Sequence, residues 1–405
     1  MTKNIELLAP AGNYDKLKIA LIYGADAVYI GGEAYGLRAG AANFTEDEMR
    51  KGLALTHSMG KKLFVTMNII ARNEDLDGMA QYASELEKLG VDGVIVSDLG
   101  VFQLVKECAP KLEIHISTQA NNLNWRTCKA WYEQGAKRIN IARELSLKEI
   151  TEIRENVPAE LELEAFVHGA MCISFSGRCL LSDYMINRQS NRGECAQPCR
   201  WNYSLQEEKR PGEYMPVFEN ERGTYIFNSK DLCMIESIPE IVNAGIASMK
   251  IEGRMKSEYY IAIVVRAYRK AIDSYLADPE KYVFKEEWLS ELETVSHRQY
   301  STGFYQIGDR GQQIYSTSSY FRSKDYIGLV LYCNQETGEA IIMQKNNFGV
   351  GDIIEVVTPG DLMFQQVLTS MEDEKGNIIE RAPHAMMLVK LTLDYPVPEN
   401  SILRR

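Results

Sequence analysis

Several absences narrow the field before any motif is considered. No run of about eighteen apolar residues occurs, so nothing in the chain reads as a membrane span. Met1 to Asn4 lead straight into a strand-like run with no apolar leader, which predicts a cytoplasmic protein. Neither H-E-x-x-H nor G-x-S-x-G is present, and no clear cysteine–histidine nucleophile pair is visible. The usual protease signatures are therefore missing. Positive charge is also scarce, with 45 Lys and Arg against 56 Asp and Glu and a net charge of −11. That excludes a surface broadly adhesive to nucleic acid, though not a local basic groove.

What is present is the composition of a globular protein with a large core: 405 residues, 45% apolar and 25% charged. A helix–glycine–strand device recurs at Gly24, Gly90, Gly135 and Gly245. Glycine suits the residue after a helix because it tolerates positive φ. Repeats of this kind predict parallel strands joined by crossover helices. Strands are expected at 5–9, 27–31, 63–67, 94–97, 114–118, 138–142, 161–167 and 248–252. Eight such units read as an α/β, (βα)8 TIM-like barrel over residues 1–277. An open doubly wound sheet is the rival.

The gap between the last two strands is much longer than the others. It predicts an insertion over 168–233 at the carboxy end of strand seven, including a hairpin over Asn202 to Asn228. Residues 278–325 read as a helical strap and 326–405 as a small β-barrel domain of short alternating strands. The strap holds SHRQYSTGFY (Ser296 to Tyr305), whose Arg298 and aromatics could stack on bases or could tie the domains together.

The insertion carries Cys172, Cys179, Cys195 and Cys199, and Cys233 follows. Four chemistries compete for them. Disulfides are disfavoured in a reduced compartment. Zinc knuckles want closer pairs than all but Cys195 and Cys199 supply. An iron–sulfur cube accepts wider, irregular spacing. Free cysteines can also simply pack as small apolar groups.

At these residues a resemblance emerges. Glu164, Phe166, Gly169, Ala170, Cys172, Gly177, Cys179 and Ser182 resemble the signature of the collagenase-like peptidase U32 family. ELLAPAG (Glu6 to Gly12), KIEGRMKS (Lys250 to Ser257) and SHRQYSTGFY are similar to further blocks of that family, in order. Several family members are not peptidases but hydroxylation factors for tRNA, ribosomal RNA or ubiquinone precursors. The short carboxy-terminal domain resembles the branch that converts tRNA wobble uridine to 5-hydroxyuridine. The resemblance implies a 4Fe-4S cluster, prephenate as a small anionic co-substrate, tRNA as a partner, and a paralogous U32 subunit as a second one. It places the cluster on Cys172, Cys179, Cys233 and Cys199, with Cys195 as the alternate fourth ligand. Four thiolates would leave no open iron, so the cluster would move electrons or hold the insertion's shape. A U32-type protease and a non-tRNA hydroxylation factor are the alternatives.

Other candidates come from strand ends facing the barrel mouth: Glu33, Asn68, Asp98, Gln119, Arg143, His168, Lys250, Glu252 and Arg254. Lys250, Arg254, Glu252 and His168 are the catalytic candidates, and Arg143 and Gln119 the co-substrate-binding ones. His168 is weighed against a histidine merely bonded to backbone, and Arg143 against one paired with Glu144. His115 could face inward or outward.

Overall fold

The structure is a computed structural model. It describes residues 5–36, 43–172, 174–175, 178–201, 219–220, 223–224, 229–306 and 320–405. Seven strands pair side by side in chain order, all parallel: β1 (Glu6–Pro10), β2 (Ala27–Gly31), β3 (Lys62–Met67), β4 (Gly93–Val96), β5 (Glu113–Ile116), β6 (Arg138–Asn140) and β7 (Glu162–Ala170). A two-residue ribbon follows, β8 (Glu219–Asn220) with β9 (Gly223–Thr224). Next come β10 (Asp231–Cys233) and β11 (Ser248–Ile251). β11 pairs in parallel with both β7 and β1, which closes an eight-stranded barrel. Each of the eight strands expected from the sequence overlaps one of these. Most of the expected hairpin over Asn202 to Asn228 lies outside the described residues.

The helices are α1 (Tyr14–Ile22), α2 (Glu46–Ser58), α3 (Asn73–Leu89), α4 (Leu99–Cys108), α5 (Trp125–Glu133), α6 (Leu147–Asn156), α7 (Leu181–Ile186), α8 (Ile238–Asn243), α9 (Glu258–Ala277) and α10 (Glu286–Leu292). Local chemistry sets their ends. Asn13 Oδ1 accepts from Lys16 N at 2.9 Å, and Thr45 and Ser146 form reciprocal caps with Glu48 and Glu149. Gly90 and Gly245 both sit at φ +85°, a conformation that penalises any Cβ.

Alternation along the strands sorts the side chains into two cores. Leu7, Val28, Leu63, Val65 and Val94 face the helices and join one large apolar cluster. Leu8, Tyr29, Phe64 and Ile95 face inward as a separate small cluster. His115 is among the inward ones, 1% exposed, its ring 4.5 Å from that of Phe64. Charge closes the amino-terminal end. Arg138 Nη1 donates to Glu6 Oε1 at 2.5 Å, and its Nε and Nη2 reach Glu162 Oε2 at 2.8 and 2.6 Å. Ser248 Oγ donates to Glu6 Oε1 at 2.8 Å in the same layer.

The strap carries α10 and β12 (Tyr300–Ser301), which pairs with β10. Beyond it lie β13 (Tyr326–Cys333), β14 (Glu339–Gln344), β15 (Phe348–Gly349), β16 (Ile353–Val357), β17 (Met363–Val367), β18 (Arg381–Ala382), β19 (Leu388–Thr392) and β20 (Ile402–Arg404). Six of them form an antiparallel sheet, ordered β17-β16-β20-β13-β14-β19, around its own apolar core. The sheet is a half-barrel whose edges are bridged by one side chain. Gln366 Nε2 donates to Thr392 O at 3.0 Å, and Gln366 Oε1 accepts from Asp394 N at 2.9 Å. This domain is pinned to the barrel. Arg404, 2% exposed, donates from Nε to Glu355 Oε2 at 2.5 Å and from Nη2 to Glu291 Oε1 at 2.6 Å. Tyr23 OH, from the helix layer, donates to Val357 O and Asn400 O at 3.1 and 3.0 Å.

Candidate active site at the barrel mouth

β7 runs three residues beyond its expected end because β10 returns antiparallel beside it, with Asp231 opposite Ala170 and Cys233 opposite His168. Gly169 sits at this crossing with φ +107°, and a Cβ there would lie 2.6 Å from Glu252 O. The β7–β11 register slips between Lys250 and Ile251, a bulge that re-aims His168. His168 is 1% exposed, with its ring 5.4–5.9 Å from those of Tyr260, Tyr268 and Tyr300. Burial pushes its pKa down to about 3, so the imidazole stays neutral. Tyr268 OH lies 3.4 Å from His168 Nδ1. His168 thus takes a place in an aromatic cage behind β7.

Lys250 lies deep in the barrel, 3% exposed, and donates to Glu164 Oε1 at 2.7 Å. Its ammonium sits 4.6 Å from the Tyr29 ring centre and 5.5 Å from that of Phe166. Burial disfavours the Glu164 carboxylate, but Lys250 and then Arg138 outweigh it and hold the carboxyl below its ordinary range. Sequence reasoning took Glu164 as a family marker and missed its partner. The available signal was an acidic residue, Glu164, set within the apolar run of β7 rather than at its edge as Glu162 is.

Arg254 lies higher. Its Nη2 donates to Asn43 Oδ1 at 2.7 Å and its Nη1 to Thr66 Oγ1 at 3.3 Å. Gly31 makes room, since a Cβ there would collide with the guanidinium. Arg143 Nη1 donates to Ala170 O at 2.9 Å, and its guanidinium rests 5.0 Å from the Phe166 ring centre. Glu252 is fixed by backbone: its N–H donates to His168 O at 2.8 Å, and its carbonyl accepts from Tyr260 OH at 3.1 Å. Gln119 is buried on a short turn after β5, and Asn68 is half-buried after β3. Asp98 caps α4, accepting from Val101 N at 3.0 Å, and Glu33 is exposed. The mouth therefore offers guanidinium and amide groups, the donors that bind carboxylates and base edges.

The insertion crosses this mouth. It leaves β7 and reaches the far side of the ring, where Ile70 N donates to Asn191 O at 3.2 Å. Arg192 grips Asp75 with two bonds, 2.7 and 2.8 Å. On the way Arg178 Nη2 donates to Gln119 O at 3.4 Å. The Arg192 hydrogen bonds hold the Asp75 carboxyl down to about 2. This clasp contributes fully above the ordinary Asp value and is lost as pH falls through about 2. Asp75→Asn is expected to release the insertion, read as faster limited proteolysis between Cys179 and Trp201 with the barrel's melting little changed. Unchanged cleavage would show that other contacts hold it.

The sequence expects Cys172, Cys179, Cys199 and Cys233 to share one metal, with Cys195 as the alternate fourth ligand. Among the described residues, no three His, Cys, Asp or Glu side chains are gathered to hold an ion. The reason is local. Cys233 is fixed in the β10 ladder, while the sulfurs of Cys179 and Cys195 accept from the N–H groups of their own turns, Leu181 and Gln197, each at 3.4 Å. Cys172 lies 3.8 Å from Ser174 Oγ, and Cys199 is half-buried on a short turn. Cys172, Cys179, Cys195 and Cys233 are free thiols. Burial pushes Cys233 up to about 12. Beside a neutral His168 this is the reverse of the thiolate–imidazolium pair of a cysteine protease.

SHRQYSTGFY is a strap. His297, Arg298 and Tyr305 are buried, His297 stacks on Tyr300 at 4.3 Å, and Tyr305 OH donates to Phe166 O at 2.7 Å. Its aromatics are used internally, which leaves Tyr320 and Phe321, each 43% exposed, at the edge of an open groove of about 990 Å³ bordered by Cys233. Among the described residues, no helix is long and apolar enough to cross a membrane.

Comparison with known proteins agrees with this architecture. Residues 12–314 match peptidase family U32, and residues 322–404 match the peptidase family U32 C-terminal domain. The chain is 42% identical over 407 residues to the tRNA hydroxylation protein P1 of Bacillus subtilis, covering 100% of this chain and 96% of that protein. It is 38% identical to the tRNA hydroxylation protein P of Escherichia coli, covering 98% and 94%. It is also 40% identical to an uncharacterised protease of Methanocaldococcus jannaschii, covering 91% and 90%.

Proposed function

Because the chain belongs to peptidase family U32, we propose that it hydroxylates uridine at the wobble position of tRNA, giving 5-hydroxyuridine, and does not cleave peptides. One observation carries the reading: end-to-end similarity to a protein named for tRNA hydroxylation. The mouth chemistry supports it. Arg254 and Arg143 suit a small anion such as prephenate, and the amides beside them suit a base that has left its stack. The groove edged by Tyr320 and Phe321 suits the RNA around it. The protease reading has a named relative in its favour, but burial pushes the Cys233 thiol up and the His168 imidazole down, the opposite of what an ion-paired nucleophile needs from this pair.

The test is genetic and chemical. Deleting the gene, in a strain without a paralogue, should remove hydroxyuridine from tRNA, and the wild-type gene should restore it. Unchanged hydroxyuridine ends the proposal.

The cofactor part is a separate proposal. A 4Fe-4S cluster on Cys172, Cys179, Cys233 and Cys199, with Cys195 as the alternate, would supply electron transfer. Five cysteines carried on one insertion, with free thiols at Cys172, Cys179, Cys195 and Cys233, support it. Binding would have to draw those sulfurs together and take the proton from Cys233. Anaerobically purified protein should then contain iron and acid-labile sulfide in about equal amounts, and Cys233→Ser should lower both. Zinc, or no metal, would remove the cluster from the account.

A further inference from the structure

We propose that Asn68, Ser117 and Gln119 form a reader for the Watson–Crick edge of a pyrimidine, set for uracil in the arrangement seen here. The inference rests on the uridine substrate proposed above and names the groups that would recognise it.

Asn68 follows β3, Ser117 follows β5, and Gln119 lies two residues further on. Asn68 Nδ2 donates to Ser117 Oγ at 3.4 Å, and Ser117 Oγ donates to Gln119 Oε1 at 3.4 Å. Gln119 N also donates to that hydroxyl, at 3.4 Å. Among the described residues, two buried atoms have no hydrogen-bond partner: Asn68 Oδ1, an acceptor, and Gln119 Nε2, a donor. Gln119 is 5% exposed, so its orphan amide is not satisfied by bulk water. A buried polar atom without a partner is costly in a folded protein, and two on one bonded chain call for a ligand.

The serine makes the pair more than two loose amides. Its hydroxyl has one proton and can give it to one amide only. The amide that takes the proton uses its oxygen and keeps its NH2 for a ligand. The other gives its NH2 to the serine and keeps its oxygen for a ligand. The free ends are therefore always of opposite kind, and reversing them requires all three groups to turn together.

A pyrimidine has the same property. Uracil presents N3–H as donor and O4 as acceptor, and cytosine presents the reverse pair. Here Asn68 Oδ1 would accept from N3–H, and Gln119 Nε2 would donate to O4. Gripping that edge leaves C5, the carbon to be hydroxylated, uncovered on the adjacent side of the ring. Arg178 of the insertion, bonded to Gln119 O, fixes the turn from above.

The experiment uses the full chain and two anticodon stem-loop RNAs that differ only in U or C at the target position. Wild-type protein should favour U by about tenfold or more, the size expected for one well-placed donor–acceptor pair. Gln119→Glu, which replaces the donor by an acceptor, should abolish or invert that ratio. Ser117→Ala, which uncouples the two amides, should bring it close to one while RNA binding persists. Should Gln119→Glu fail to fold, Asn68→Leu at the half-buried position carries the same expectation. An unchanged U-to-C ratio in the variants overturns the inference alone, as does a wild-type ratio of one. Wild-type protein that binds neither RNA overturns the inference and the tRNA proposal together.

Discussion

Glu164→Gln is expected to lower folding stability by about 3–5 kcal/mol, the range for breaking a buried ion pair. The carboxylate is 1% exposed and receives Lys250 Nζ at 2.7 Å, Arg138 Nη1 at 3.3 Å and Ser248 Oγ at 3.4 Å. Arg138 keeps Glu6 and Glu162 after the change. Lys250 has no second carboxylate described within bonding reach, so its ammonium is left uncompensated against Tyr29 and Phe166. The double variant Glu164→Gln, Lys250→Met should recover most of the loss, because the charge left behind drives it. The pH sign follows from the direction of the shift. A carboxyl held below its ordinary value contributes stability above about pH 4.3, and that contribution disappears on acidification. Thermal midpoints of wild type, Glu164→Gln and the double variant across pH make the check. A single variant that melts with wild type would mean the pair is not coupled as described.

Arg404→Met should be nearly as damaging, again by about 3–5 kcal/mol, since it strips a buried guanidinium from two acidic partners. The effect should differ in kind, because Glu355 belongs to the carboxy-terminal sheet and Glu291 to α10 of the strap. Arg404 Nη1 also donates to Thr294 Oγ1 at 3.0 Å, so one side chain ties three elements together. The variant should therefore melt in two separated transitions where wild type shows one. Calorimetry distinguishes this from a uniform loss. A single shifted transition would place the coupling instead in contacts such as those of Tyr23.

The barrel was legible because its signal is repeated. The strands' outward side chains join one cluster with the helices, and the turns at Gly24, Gly90, Gly135 and Gly245 reuse positive-φ glycine, so one such unit predicts the next. Lys250, Arg254 and Arg143 were legible as mouth candidates because strand ends converge in this fold. Their depth was not legible. Nothing local to KIEGRMKS says that Lys250 lies on the barrel axis against Glu164, a residue 86 positions away. The surroundings of His168 were not legible either, since a one-residue bulge in β7 turns it toward Tyr268 and Tyr300. The Asp75–Arg192 clasp could not be read at all, because its partners lie on elements on opposite sides of the ring. The thiols were grouped by their spacing and their ligand roles drawn from the family resemblance, because spacing alone limits only how far apart they can be.

The ring of Arg138, Glu6, Glu162 and Ser248 gives the barrel a sealed base. A vessel stoppered at one end has a single way in and out. Any small molecule reaching Lys250 or Arg254 from solvent would enter and leave by that one end, past Arg178 and Arg192 of the insertion.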